Sequence, residues 1–251
     1  MMERHAAMGF AAGAMVFPGG KIDAGDGAAA LVARGNFSGA PDLNAFRLGA
    51  LRELFEEAGI LLAVDAEGDA VDPDRATALA VLHRENVLEN PPAFAAMLAA
   101  EDLFLAAGDL VHFAHWITPQ PVPRRFDTHF FAARAPGGQG AVCDGQEAVN
   151  MSWLSPAVAL SMEASGDHML MFPTKLNLER LARFRRVDEA LAAAASSPVV
   201  TVMPKLLVED GEVYLTIPPD AGYGEVKIRR ADIPEAAGAN PGRSGKGAKK
   251  G

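Results

Sequence analysis

The sequence predicts an α/β (α+β) fold on three observations. An amphipathic helical pattern at residues 43–58 follows a short strand signal and a glycine turn; two alternating, aromatic-bearing strand signals lie at 110–117 and 125–133; and further helical patterns fill 71–108 and 155–195. A chain of 251 residues can bury a full core as one elaborated domain or two small ones. Residues 1–237 are read as one domain with insertions at 27–44 and 71–108, and the basic, Gly-, Ser- and Lys-rich stretch 238–251 as a disordered tail.

In chain order, Ala14-Met15-Val16-Phe17 reads as a strand entering the turn Pro18-Gly19-Gly20, where paired glycines imply close approach of backbone to something. Residues 21–47 form a loop with a short helical piece at 28–33. Pro41-Asp42 suggests an N-cap at Asp42, and Gly59 the left-handed residue that ends the helix 43–58. Helices at 73–88 and 92–107, separated by Asn90-Pro91-Pro92, give an all-helical insertion. After the strands at 110–117 and 125–133 come a loop at 136–140 and a strand at 148–154. A helix with Ser155 as N-cap follows, then one continuous helix over 173–195. Residues 199–208 and 212–217 form a hairpin around Glu209-Asp210-Gly211.

Composition excludes several classes. A net charge of −9 argues against a general nucleic-acid surface, which needs clustered Lys and Arg, and suits a site that holds cations. No apolar run is long enough to cross a bilayer, so no membrane role is expected. No signal-peptide pattern opens the chain, and the single Cys143 has no internal disulfide partner, so a reducing, cytoplasmic setting is expected.

The chemistry concentrates in the helix 43–58. Glu53, Glu56 and Glu57 fall within about 100° of arc on one face, while Leu48, Leu51, Leu54, Phe55 and Ala58 cover the opposite side. Glu56 and Glu57 sit in the last turn, against the negative end of the helix dipole, at about 0.3–1 kcal/mol each when exposed. No lysine follows to compensate. Such a face is either simply solvated or built to receive a cation.

Phe17-Pro18-Gly19-Gly20-Lys21, Asp26 and Arg52-Glu53-Leu54-Phe55-Glu56-Glu57-Ala58-Gly59-Ile60 together resemble the Nudix box. Twenty-five residues separate Asp26 from Arg52 where the family has seven, so the box is interrupted by residues 27–44. Arg34 stands at the uninterrupted spacing but is followed by Gly35, so the helix is taken from Arg52. An interrupted box resembles the Nudix branch that includes peroxisomal coenzyme A and acyl-coenzyme A diphosphatases. Arg4, Gly9-Phe10, Gly13, Trp116-Ile117-Thr118-Pro119, Arg125-Phe126-Asp127-Thr128, Trp153, Ser155-Pro156 and Pro173-Thr174 agree with it. The chain departs from that branch in starting inside the family's first strand, in Gly9 where free-coenzyme A enzymes carry a second arginine, and in ending without a peroxisomal tripeptide.

The resemblance implies a Nudix-type α/β/α sandwich with a mixed sheet, here with a helical insertion and a C-terminal helix and hairpin. It implies a pyrophosphatase using Mg²⁺ or Mn²⁺ on a nucleoside diphosphate derivative. Glu56, Glu57 and the Gly20 carbonyl would bind metal, Glu53 would bind a second ion or act as base, and Arg52 would hold a carboxylate in position. Glu147 is the candidate further acid, against a solvated loop acid. Arg4, Arg124, Arg125 and Phe126 are candidates for substrate contact, and Trp116 is either a stacking surface or core. His112, His115, His129 and His168 are left structural, because residues three apart on a strand face opposite ways. An incomplete edge strand and the C-terminal hairpin are places where a second copy could pair, giving a homodimer. The other reading is a Nudix fold with vestigial catalysis that serves as a ligand-sensing or protein-binding module.

Overall fold

The computed structural model describes residues 1–7, 11–120, 125–143 and 145–233. Arg124, Gly9, Phe10 and the tail 238–251 lie outside them. In chain order the elements are β1 (Met2–Arg4), β2 (Ala14–Val16), α1 (Ala29–Val32), α2 (Asn44–Ala58), β3 (Ala63–Val64), α3 (Pro73–Glu89), α4 (Pro92–Ala100) and β4 (Phe104–Leu105). Then follow β5 (Val111–Ile117), β6 (Asp127–Ala132), β7 (Ala148–Met151), α5 (Pro156–Ala164), β8 (Met169–Leu170), α6 (Phe172–Leu181), α7 (Val187–Ser196), β9 (Thr201–Val202), β10 (Lys205–Glu209), β11 (Glu212–Thr216) and β12 (Lys227–Arg229).

The α/β expectation holds, with mixed sheets. One sheet runs β7-β1-β2-β8, with β1 antiparallel to both neighbours and β2 parallel to β8; another runs β6-β5-β9, antiparallel on one side and parallel on the other. Smaller antiparallel sheets are β3-β4 and β10-β11-β12.

Helix α2 lies where these parts meet. Leu48, Leu51 and Phe55 are buried with Leu79 and Val87 of α3 and Phe94 and Leu98 of α4, so these two helices cover the apolar face that the periodicity identified. A second cluster joins Phe113 and Trp116 of β5 to Leu176, Val202, Ile217 and Tyr223, which places the C-terminal elements over β5. The residue 27–44 segment is stitched to the end of the other insertion. Asn36 N donates to Leu105 O, Leu105 N to Arg34 O, and Ser38 Oγ to Gly108 O.

Several expectations need correction. The insertion 71–108 is not all helical: α4 ends at Ala100, Asp102 takes a left-handed φ of 50°, and β4 pairs with β3. Asp42 lies within a 3-10 turn, Pro41–Leu43, and does not cap α2. The helix predicted over 173–195 is two helices. Arg186 is extended, and Glu189 accepts from Arg185 N with Asp188 beside it, so a fresh acidic N-terminus interrupts the pattern. The strand predicted over 199–208 splits at Pro204, which has no N–H for a ladder, so β9 joins β5 and β10 joins β11. Strands β3, β8 and β12 were not foreseen as strands.

A further correction concerns the histidines. The β5–β6 register shifts between His112 and Ala114, a β-bulge that turns His112 to the same side as His115. Residues three apart therefore do not face opposite ways here. Trp116 proves to be core, donating through Nε1 to Tyr223 Oη at 3.0 Å, while that hydroxyl donates to Asn177 Oδ1 at 2.6 Å.

Tyr223→Phe leaves both Trp116 Nε1 and Asn177 Oδ1 without this buried partner. Urea denaturation should show a loss of about 1–3 kcal/mol; an unchanged midpoint would mean that the hydroxyl does not hold the C-terminal region to β5.

Candidate active site

Helix α2 ends at Gly59, whose φ of 68° is the left-handed conformation glycine adopts without a Cβ penalty. The four carbonyls left open at this end are each satisfied. Phe55 O accepts from Gly59 N, Glu56 O from Arg84 Nε at 2.5 Å, Glu57 O from Arg84 Nη2 at 2.6 Å, and Ala58 O from Val142 N at 2.9 Å. Arg84 belongs to α3, so the insertion supplies the cation that the sequence after Glu57 lacks. Gln139 adds a two-way link, its side chain bonding both N and O of Leu61.

The two halves of the interrupted motif meet directly. Arg52 Nε and Nη2 form a forked pair with the Asp26 carboxylate at 2.7 and 3.0 Å, and both side chains are buried. Arg52 also reaches Glu56 Oε1 and Glu53 Oε1, each at 3.0 Å, and Lys21 O at 3.1 Å. Asp26 accepts from Asp23 N as well, completing a capping box on the 3-10 turn Ala24–Gly27. Gly49 permits this approach: a Cβ there would stand 2.8 Å from Asp26 Oδ2 and 2.6 Å from Ile22 Cδ1.

The glycine turn closes over the acidic face. Gly19 N donates to Glu57 Oε2 at 2.5 Å, and a Cβ on Gly20 would lie 2.5 Å from Glu53 Oε2. Gly20 is thus a position where only hydrogen leaves room between backbone and carboxylate. Glu56 and Glu57 are buried, which rules out a freely solvated face.

Burial dominates the electrostatics. It pushes Glu57 up to about 8, helped by Glu53 and Glu147 and opposed by the Gly19 N–H and Arg4. Burial likewise pushes Glu53 up to about 7, opposed by Arg52 and helped by Glu56 and Glu147, and it raises Glu56. Arg52, surrounded by Asp26, Glu53 and Glu56, is held firmly protonated. Three carboxylates crowded with one committed arginine carry more negative charge than the site neutralises when all are ionised.

Two of the more distant candidates are brought to this face. Arg4 pairs in register with Ala148, and His5 N donates to Glu147 O, so the β1–β7 pairing sets Arg4 and Glu147 side by side within electrostatic range of Glu57. Arg4 Nε is buried with no hydrogen-bond partner among the described residues. Arg125 is exposed, its Nε donating to Thr118 O, and Phe126 pairs through its backbone N–H and carbonyl with Thr118. Sequence reading missed Arg84, Gly49 and Gln139. For Gly49 a signal existed, a glycine within the helix one turn before Arg52; for Arg84 and Gln139 none did, since their partners are backbone atoms distant in sequence.

A family model for the NUDT19 Nudix domain matches residues 30–181. Acyl-coenzyme A diphosphatase NUDT19 of Homo sapiens is 29% identical over 90% of the chain and 72% of its own length, and that of Xenopus laevis is 27% identical over 90% and 71%. The crystal structure of a NUDIX hydrolase from Alicyclobacillus acidocaldarius superposes with a TM-score of 0.67 at 28% identity, covering 78% of this chain and 88% of that one.

A carboxyl whose pKa is raised by folding keeps its proton in the native state over a pH range where the unfolded chain has lost it. Its contribution is therefore most favourable at low pH and declines as pH rises from about 4.5 through the raised value. Glu53 and Glu57 place this window between about pH 4.5 and 8. Chelator-treated protein should melt at progressively lower temperature across it, and Mg²⁺ should recover most at the alkaline end; a melting temperature that rises from pH 5 to 8 without metal contradicts the assignment. Arg84→Ala should lower stability by about 1–3 kcal/mol in denaturant titration, through the open carbonyls of Glu56 and Glu57.

Proposed function

The chain belongs to the Nudix hydrolase family, and from that premise we propose that it hydrolyses the pyrophosphate linkage of coenzyme A or an acyl-coenzyme A, with Mg²⁺ or Mn²⁺ held on the acidic face of α2. The observation that carries the reading is the carboxylate set around Arg52, with Glu56 and Glu57 buried and Glu53 partly buried beside them. All-oxygen, anionic donors fit a hard divalent cation, and their raised pKa values mark a site short of positive charge. When bound there, Mg²⁺ or Mn²⁺ neutralises phosphate oxygens and lowers the pKa of the attacking water.

In this reading Glu56 and Glu57 hold the cation with the backbone carbonyl of Gly20, and Glu147 is the additional acid. Glu53, at about 7, is suited to take a proton from water near neutral pH. Arg52 fixes the directions of Glu53 and Glu56 and is itself fixed by Asp26. Arg4, with its open Nε, contacts phosphate, and Arg124, Arg125 and Phe126 contact the phosphates or the base of the nucleotide half. Water adds across the P–O–P bond, so one phosphate-ended fragment leaves from each side. The names of the two vertebrate relatives favour acyl-coenzyme A as substrate class.

Purified protein with Mg²⁺ or Mn²⁺ should convert coenzyme A or an acyl-coenzyme A to adenosine 3′,5′-bisphosphate and the corresponding phosphopantetheine, seen by mass spectrometry. Glu53→Gln should lower kcat by about 10²–10⁴ with the fold retained. Inactivity with both metals on coenzyme A, acyl-coenzyme A, ADP-ribose, NADH and dinucleoside polyphosphates would overturn the proposal; activity on ADP-ribose or NADH alone would keep the chemistry and replace the substrate.

A further inference from the structure

We propose that His115, His129 and Asp127 form a second cation site, for Zn²⁺, separate from the acidic face of α2. His115 and His129 are directly opposed in the β5–β6 register, and Asp127 lies two residues before His129, on the same face of β6. One ligand atom from each residue lies within 4.8 Å of the others. The imidazole rings stack nearly parallel, 7° apart in orientation with centroids 4.0 Å apart. Tetrahedral Zn²⁺ with bonds of about 2.0–2.1 Å sets its ligand atoms about 3.4 Å apart. His115 Nε2 lies 2.5 Å and His129 Nε2 4.0 Å from Asp127 Oδ1, so binding requires the carboxylate to move between them and the parallel rings to splay until their in-plane Nε2 lone pairs converge.

The surroundings orient the rings for this use. His115 Nδ1 lies 2.7 Å from Thr201 Oγ1, and His129 Nδ1 lies 3.1 Å from His112 Nε2. Both Nδ1 positions are thereby occupied, and both Nε2 positions are turned toward the carboxylate. Metal-binding histidines are ordinarily held in this manner, by a partner on the nitrogen that does not ligate. The bulge at Phe113 is what delivers His112 to His129, so a local irregularity in β5 serves the arrangement. A simple His115–Asp127 ion pair would account for one ring only, leaving His129 Nε2 beyond hydrogen-bonding distance of that oxygen.

Two imidazoles and one carboxylate favour Zn²⁺ over Mg²⁺, which prefers all-oxygen surroundings. Asp127 is 62% exposed, which leaves an entry path and a fourth position for water. The cluster is also away from the carboxylates: Phe46 packs against His129 with the rings tilted and their centroids 4.3 Å apart, and Glu53 to Glu57 lie seven to eleven residues further along α2, about 10–17 Å down its axis. Because Asp127 directly follows Arg125 and Phe126, occupancy would fix the start of β6.

The test uses the full chain, stripped with chelator, carrying Glu56→Gln and Glu57→Gln so that the acidic face no longer competes. Co²⁺ titration should give one equivalent bound with the visible absorption of low-coordinate cobalt, displaced by Zn²⁺. His115→Ala or Asp127→Asn in that background should abolish the band, while His112→Gln should retain it with affinity reduced about 10–100-fold. Because a variant can fail through misfolding, histidine-ring NMR of the unmutated chain gives an independent reading. Zn²⁺ should shift the Nε2 signals of His115 and His129 and leave those of His83 and His168 in place. A cobalt band indifferent to both substitutions, no Co²⁺ binding in the background chain, or Zn²⁺ shifts confined to other histidines would each overturn the proposal.

Discussion

The constraint on which the rest depends is the burial of Glu56 and Glu57 at the negative end of α2, with Glu53 partly buried beside them. Each contribution is unfavourable alone: desolvation of the carboxylates, their mutual repulsion, and the helix dipole. They coexist because partners arrive from four separate segments. Arg52 is committed to Glu53 and Glu56 and anchored by Asp26; the Gly19 N–H meets Glu57; Arg84 covers the carbonyls of Glu56 and Glu57; and Val142 covers that of Ala58. The remaining charge deficit is what a divalent cation would fill.

The segments 27–44 and 71–108 are part of the site's support. The segment after Asp26 leaves and returns without separating Asp26 from Arg52, which stay 2.7 Å apart. Its outer portion is bonded to the end of the segment 71–108, which both buries the apolar side of α2 and supplies Arg84. Loop closure costs grow slowly with length, so a motif can accept added residues provided the ends remain pinned. Here the pin is a buried, forked ion pair with a capping box behind it.

Much of this was legible in the sequence where physics acts locally. Helix α2, its apolar face, its Gly59 terminus and the Pro18-Gly19-Gly20 turn follow from periodicity and from glycine's conformational range. What was not legible depends on register and distant backbone partners. Period-two reasoning set His112 and His115 on opposite faces, and one bulged residue reversed it. Helical periodicity carried residues 173–195 through as one element, because no Gly or Pro marks the break before α7. The split between β9 and β10 did have a mark, Pro204, whose missing N–H ends a ladder. Arg84 left no trace at all, since a carbonyl partner has no residue type.

The central claim, that the acidic face is a cation site kept partly protonated chiefly by its own burial, has a direct measure. Cation binding at Glu56 and Glu57 near neutral pH must expel the proton that Glu57 holds, and its positive charge also draws off the proton of the neighbouring Glu53. Mg²⁺ titration calorimetry at pH 7 in buffers of different ionisation enthalpy should report release of about one to two protons per ion, from groups at about 7 and 8, falling toward zero near pH 9. Mg²⁺ binding with no buffer dependence, or no binding at all, would contradict it.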